Sequence, residues 1–422
     1  MAIVELNRKE FDEFAIKHPY RSFYQTSQYG TLMSKHGYKP LYIGYDEGGH
    51  ISAAALILVR TNLNIVIAYS PRGYLIDFND YQLVEDFTNE LKKYLQSKGI
   101  VYIIIDPHIT HLERDNNGMP TDGKQTGLQI SDTLKRIGYE HTGFNLYFEN
   151  LKPRWNSVLK TDKSPIEIFN SFDKTTRTKI RNSLRKGVEI YKGDKNDVKI
   201  FYQTLNKKHY RSLDYYLDMF DIFGRFDMFD IYFARINTEI FLRNSNLLYE
   251  HELNKNNKIA EKLQKNIKKQ SERTTLLNQK MESDKILNSY KNDIVFANRL
   301  FRDGKYIIIA SNAIIKYGNE IFFLIDGVNS KFKNFNANHL LKWKIIEEYR
   351  NKGFTKFHLN GITGDFSKKN KLLGLYTFKK GFNTKVTEYI GEYRLVVNKH
   401  KYRLYKGFKP LTMITNNVLK KS

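Results

Sequence analysis

The stretch Tyr376–Tyr393, YTFKKGFNTKVTEYIGEY, sets two lysines, Lys379 and Lys380, at the end of an apolar run and ahead of a glycine. A lysine ammonium held in a fixed place can stabilise negative charge that develops in a reaction. Cations in a last helical turn also suit the helix dipole with no chemistry involved. Adjacent helix residues point about 100° apart, so the two lysines cannot face the same way. A second candidate is Asp106, which follows the strand-like run in YIIIDPHITH and precedes Pro107. Strand ends at the carboxyl edge of a sheet are where α/β proteins place function. Asp106 reads either as a base or substrate-orienting group, or as a turn aspartate capping its own backbone. His108 and His111, three apart in a loop, do not form a ligand signature, and no metal is expected.

A row of cations occupies Asp173–Ile190, DKTTRTKIRNSLRKGVEI. Arg177, Arg181 and Arg185 recur every four residues and share one helix face, with Lys186 beside them. Guanidinium groups bind phosphate bidentately, so this face reads as a phosphate-binding surface, the alternative being a solvated helix side. Arg72, beside a glycine in SPRGYLID, either approaches a ligand pyrophosphate or pairs with the nearby Asp77. There is no Walker pattern and no GxGxxG. The run RNKGFT, Arg350–Thr355, approaches the acetyltransferase pyrophosphate turn in residues, but it closes a helix where that turn opens one. With no cysteine and no Gly-x-Ser-x-Gly elbow, covalent catalysis is weakly supported.

The elements that must hold these residues recur. LVEDFTNELKKYLQSKG and NHLLKWKIIEEYRNKG are amphipathic helices, closed by Gly99 and Gly353 in the left-handed position. Each leads into a strand: KGIVYIIIDP in one case, KGFTKFHLNG in the other. Downstream, helices end again at Gly138 and at Gly381, each followed by an aromatic that starts a strand. Two matched pairs in one order indicate duplication, hence two related α/β domains with mixed sheets. Between the pairs, residues 243–298 lack Gly and Pro. Seams at Leu253, Ala260, Leu263 and Ile267, and at Leu277 and Met281, predict an antiparallel coiled-coil hairpin reversing in KKQSERT. The expected domains are 1–150, 151–242 with 299–395, the inserted arm 243–298, and a basic tail 396–422.

The chain of 422 residues carries 69 Lys+Arg against 45 Asp+Glu, a net charge of +24 that favours polyanionic partners. Its longest apolar run, ISAAALILV, is far short of the ~20 residues that span a bilayer. The amino terminus lacks the apolar core of a signal peptide, and the absence of cysteine fits a reducing compartment. A cytoplasmic protein is expected, with peripheral contact to anionic membrane as one use of the basic surface.

The motifs PRGYLIDF, IDPH, GYEHTGF, PRWNSVL, TTRTKIRNSLRKGVEI, NSKFKNFNANHLLKW, FHLNG and FKKGFNTKVTEYIGEY together resemble the FemABX family of peptidoglycan-bridge aminoacyltransferases, nearly end to end. The resemblance implies two acetyltransferase-like (GNAT-like) domains with the helical arm inserted in the second. It implies transfer of Gly, Ala or Ser from aminoacyl-tRNA to the stem-peptide amine of lipid II or UDP-MurNAc-pentapeptide, with no cofactor. In that family the Phe-Lys segment supplies the cation near the oxyanion, which maps to Phe378 and Lys379; Asp106 maps to a carboxylate near the acceptor. Lys379 is then expected to face the transfer site and Lys380 to face solvent or tRNA. The implied substrate contacts are Lys35, Arg72, Phe323, Asn360 and Lys380. Met33 stands where members carry a diphosphate-binding lysine, with Lys35 nearby, and Phe322-Phe323 replaces a common Tyr-Tyr. Partners implied beyond the substrates are a second copy of the chain or related family members. The competing classes are a non-catalytic RNA- or membrane-binding protein and a coenzyme-A-dependent N-acetyltransferase.

Overall fold

A computed structural model describes residues 1–62, 64–121, 126–205, 211–265, 267 and 269–407. The first half runs β1 (Ala2–Glu5), α1 (Arg8–Lys17), α2 (Ser27–Lys35), β2 (Lys39–Asp46), β3 (Ile51–Asn62), β4 (Ile65–Ser70), α3 (Tyr81–Ser97), β5 (Ile100–Ile105), β6 (Thr110–Glu113), α4 (Thr126–Arg136) and β7 (Tyr139–His141). The second begins β8 (Trp155–Lys160), α5 (Pro165–Ser171), α6 (Lys174–Arg185), β9 (Val188–Gly193), α7 (Val198–Thr204), α8 (Leu213–Gly224) and β10 (Phe229–Asn237). The arm follows as α9 (Thr238–Gln264) and α10 (Gln270–Asp303). The chain ends β11 (Tyr306–Tyr317), β12 (Glu320–Val328), α11 (Ala337–Asn351), β13 (Lys356–Ile362), α12 (Leu373–Lys380), β14 (Lys385–Tyr389), β15 (Tyr393–Val396) and α13 (Lys399–Gly407).

The strands form two mixed sheets of matching plan, as the duplicated sequence requires. One has the order β1-β2-β3-β4-β5-β15-β7, the other β9-β10-β11-β12-β13-β8-β14-β6. In each, a single parallel pair, β4 with β5 or β12 with β13, follows an antiparallel meander. The strand beside that pair comes from elsewhere in the chain. β8 brings the start of the second half to the parallel pair of its own sheet, whereas β15, late in the second half, lies in the first sheet. The sheets therefore do not divide the chain at the expected boundaries: β6 belongs to the second sheet and β15 to the first. Val396 closes β15 and Lys399–Gly407 is helix, so the expected tail begins as ordered structure; its residues 408–422 lie outside the described residues.

Both faces of each sheet are covered. In β3, Ala53, Ala55 and Ile57 pack toward α3 and α4, while Ala54, Leu56 and Leu58 join a core shared with β10, β11, α2 and α8. This period of two is the pleat of a strand buried on both sides. Ion pairs close the join. Arg154 is 1% exposed and donates to Glu388, which also accepts from Arg114 Nε at 2.6 Å.

The arm occupies the place where the first half has only the turn between β2 and β3. Its seam is more polar than the sequence suggests. Beyond its base, where Phe241, Ser245, Ala297 and Leu300 are buried, the buried residues are Glu252, Asn256 and Ile259 on α9 and Ser283 on α10. Ser283 Oγ donates to Glu252 at 2.6 Å and Asn256 Nδ2 to Asp284 at 2.8 Å. These pairs rotate the inward row by one residue from the predicted one, leaving Leu253 and Ala260 half-buried and Leu277 and Met281 exposed. Polar pairs of this kind fix register at some cost in stability.

Glu388→Gln should leave two guanidinium groups without their shared counter-charge and destabilise the fold by about 3–5 kcal/mol. Urea unfolding monitored by tryptophan fluorescence would show it; a midpoint equal to wild type would contradict the role given to this cluster.

Candidate active site

A cleft opens between the halves, bounded by Tyr24, Arg72, Lys152, Phe322, His358 and Asn360. Asp106 lies behind the cleft residue Arg72, 2% exposed, where β5 ends. It accepts from the Arg72 backbone N–H at 2.7 Å and from Tyr69 Oη at 3.1 Å. Arg72 Nη1 lies 3.7 Å from Asp106, Nη2 donates to the Pro153 carbonyl at 2.8 Å, and the guanidinium sits 4.7 Å above the Tyr389 ring. The pairing of Arg72 is thus with Asp106 and not with Asp77. Its φ of 54° turns the backbone N–H onto the carboxylate. Burial raises the Asp106 carboxyl above its ordinary range, with the Arg72 charge opposing. Glu392 lies opposite, one residue before the Tyr393–Ile105 pair, and burial pushes it up to about 7.

Lys152 was not singled out by sequence, because nothing local marks it. It lies 4.3 Å above the Tyr24 ring, and burial, with Arg211 and Arg72 nearby, brings its ammonium down to about 7. The cationic lining continues outward. Arg211 stacks on Tyr215 at 4.6 Å, Tyr215 packs on His36 at 5.1 Å, and Asp218 joins His36 (3.2 Å) to Lys35 (2.6 Å). Lys35 therefore stands at the outer end of this lining, paired and half-exposed, and Met33 is buried in the shared core. Phe322, half-buried, stacks face to face on His358 at 4.2 Å. Phe323 borders the cleft, but its ring is buried on the α11 side under Lys342, at 4.4 Å.

The second sheet splays here. β12 and β13 pair only from Glu320–Lys356 to Phe322–His358, and β13 is irregular between His358 and Gly361. Asn360, in a left-handed conformation (φ 69°), bridges the opening by donating to the Leu324 carbonyl at 2.8 Å. Immediately beyond it, the Gly361 carbonyl accepts from Lys379 Nζ at 2.7 Å. Lys379 is 4% exposed on α12, and its own carbonyl accepts from Thr384 Oγ1 at 3.1 Å. Phe378 packs on His339 at 4.7 Å and on Phe382 at 5.5 Å. Lys380 points elsewhere, donating to Asn117 at 2.6 Å. Gly381 is not the left-handed stop expected: its φ is −56°, and Asn383 (φ 55°) takes that conformation. Glycine is needed because a Cβ would lie 2.2 Å from Thr176 Oγ1. The close approach joins α12 to α6, where the Asp173 N–H donates to the Gly381 carbonyl at 3.0 Å.

The arginine row is divided. Arg181 and Arg185 are exposed, Arg181 above Phe169 and Arg185 donating to Asn182 at 2.8 Å. Arg177 turns back to the Asn170 carbonyl at 3.1 Å. Lys186 pairs with Asp293 of the arm at 3.2 Å, so it braces the arm instead of extending the row. Among the described residues no cluster of His, Asp and Glu could hold a metal, and no helix is long and apolar enough to cross a membrane.

Two interlocked mixed sheets, with cations lining the cleft on one side of a splay and a buried lysine at its edge, define a bilobal α/β protein with one central site. The model of the FemAB family matches residues 6–409. Aminoacyltransferase FemA of Staphylococcus aureus (strain bovine RF122 / ET3-1) is 27% identical, covering 97% of this chain and 98% of that one. FemA of Staphylococcus aureus strain MW2 gives the same identity and coverage. The solved structure of FemX superposes with a TM-score of 0.73 at 20% identity, covering 96% of this chain and 99% of FemX. The chain belongs to the FemAB family and has the fold of FemX.

An anion seated beside Lys152 must favour its charged form. Binding of inorganic pyrophosphate at pH 8, where a group with a pKa of about 7 is mostly neutral, should take up protons. Calorimetry in buffers of different ionisation enthalpy measures this; Lys152→Met should abolish the uptake, and uptake unchanged in the variant would remove Lys152 from the site.

Proposed function

We propose that this aminoacyltransferase transfers Gly, Ala or Ser from aminoacyl-tRNA to the stem-peptide amine of a peptidoglycan precursor, lipid II or UDP-MurNAc-pentapeptide, to build an interpeptide bridge. The observation that carries the reading is the splay between β12 and β13, which separates a cationic cleft from the α12–α6 face. The precursor's diphosphate suits the lining of Lys152, Arg72 and Arg211, with Lys35 at its rim. The donor's phosphates suit Arg181 and Arg185. Its acyl end reaches Lys379, which Gly381 holds against α6.

The chemistry asks little of the protein covalently. An ester and an amine react directly, so the protein's work is to align them and to stabilise the tetrahedral oxyanion. Lys379 is the fixed cation for that oxyanion, with Phe378 packing its helix against α11. Asp106, already held by Arg72 and Tyr69, orients the acceptor amine. Asn360 and Phe322 edge the opening where the two meet.

Incubation with charged tRNA and lipid II, read by mass, tests the reading: the precursor should gain one amino-acid residue. No gain with every amino acid tried would sink it. Lys379→Met should lower turnover about 100- to 1,000-fold while leaving tRNA affinity within about twofold; wild-type turnover in a folded variant would refute the role of Lys379.

A further inference from the structure

Beside the splay lies a buried pair that the scheme above does not use. Glu320 (8% exposed) and His358 (5% exposed) meet through Oε2 and Nε2 at 2.6 Å. Although burial works against it, the hydrogen bond from His358 and the charge of Lys356 hold the Glu320 carboxyl down to about 2. It is therefore ionised and can only accept. His358 Nε2 must donate to it, which leaves the lone pair on Nδ1. The ring is fixed between Phe322, stacked at 4.2 Å with an interplanar angle of 6°, and His108, whose centroid is 6.0 Å away. His108 is itself engaged through Nε2 with Tyr389 Oη at 2.8 Å.

The charged and titratable groups around His358 are Glu320 from β12, Lys356 from its own strand, His108 from the loop after β5 and Arg72 from the loop after β4. Burial holds its pKa below the ordinary histidine range, with Glu320 opposing, so the ring is neutral at neutral pH. The ring borders the cleft two residues before Asn360. A neutral, oriented imidazole at the mouth of the splay is placed to handle a proton.

We propose that His358 is the catalytic base of the transfer and that Glu320 is its positioning residue; the proposal rests on the aminoacyl-transfer reading. As the neutral amine nitrogen bonds to the ester carbonyl carbon, its N–H proton passes to His358 Nδ1. The carbon–oxygen bond to the ribose then breaks, and the same proton returns to the ribose oxygen. The amide and the free hydroxyl leave, and His358 is neutral again.

The test uses the full chain with charged tRNA and lipid II under single turnover. His358→Ala should slow transfer about 100- to 10,000-fold, and added imidazole should restore it. Rates with a series of methylated imidazoles should rise with their basicity. His358→Gln, which keeps a side chain for Glu320, should be as slow. Glu320→Gln should move the acid limb of the pH profile to lower pH, because the carboxylate that favours the protonated ring is gone. Wild-type rates in either His358 variant, rescue that follows the size of the imidazole and not its basicity, or an unmoved acid limb would each overturn the proposal. Wild-type protein that transfers nothing overturns the parent reading instead.

Discussion

The structure depends on one topological constraint: each sheet is completed by a strand that the other half supplies. β6 of the first half forms the edge of the second sheet beside β14, and β15 of the second half enters the first sheet between β5 and β7. Neither half can close its core alone, and the cleft between them is held by backbone hydrogen bonds as well as by side-chain packing. The Arg154–Glu388–Arg114 cluster lies at this crossing, on the segment before β8 and on β14 and β6 edges that meet there. A buried charge cluster adds little net stability, but it penalises any arrangement that separates its members.

The same crossing places the site. Asp106 ends β5 beside the incoming β15, so the buried Glu392 and Asp106 carboxyls are neighbours behind the cleft residue Arg72. Gly361 lies on β13 beside β8, at the irregular end of that pairing, and its carbonyl takes Lys379 from α12. The two halves thus set the buried Asp106 carboxylate at the end of β5 and the buried Lys379 ammonium against β13, strands that flank the cleft. The arm extends from the β10–β11 connection, away from that opening in sequence, and Lys186 ties it to the end of the arginine helix.

Much of this was legible in local sequence. Gly99, Gly138 and Gly353 each adopt positive φ, because a helix that turns directly into a strand needs a residue free of the Cβ clash. The repeated helix–glycine–strand order announced two related sheets. Gly381 looked like a fourth such stop, but its glycine answers to a neighbour, α6, that spacing cannot reveal. The strand exchange was hidden for the same reason: β6 and β15 are four residues each, and four residues carry no record of which sheet they join. Lys152, Arg211 and the Glu320–His358 pair matter through tertiary proximity alone. In the arm, the apolar seam through Leu253, Ala260, Leu263 and Ile267 was the loudest signal, yet Glu252, Asn256 and Ser283 lie buried in its place.

The central claim is that donor and acceptor meet through the splay between β12 and β13. Because the chain has no cysteine, Leu324→Cys would place a single thiol at that opening. The unmodified variant should transfer near the wild-type rate, and attaching a bulky maleimide should abolish transfer while charged tRNA still binds. Transfer at an unchanged rate after complete modification would contradict the account.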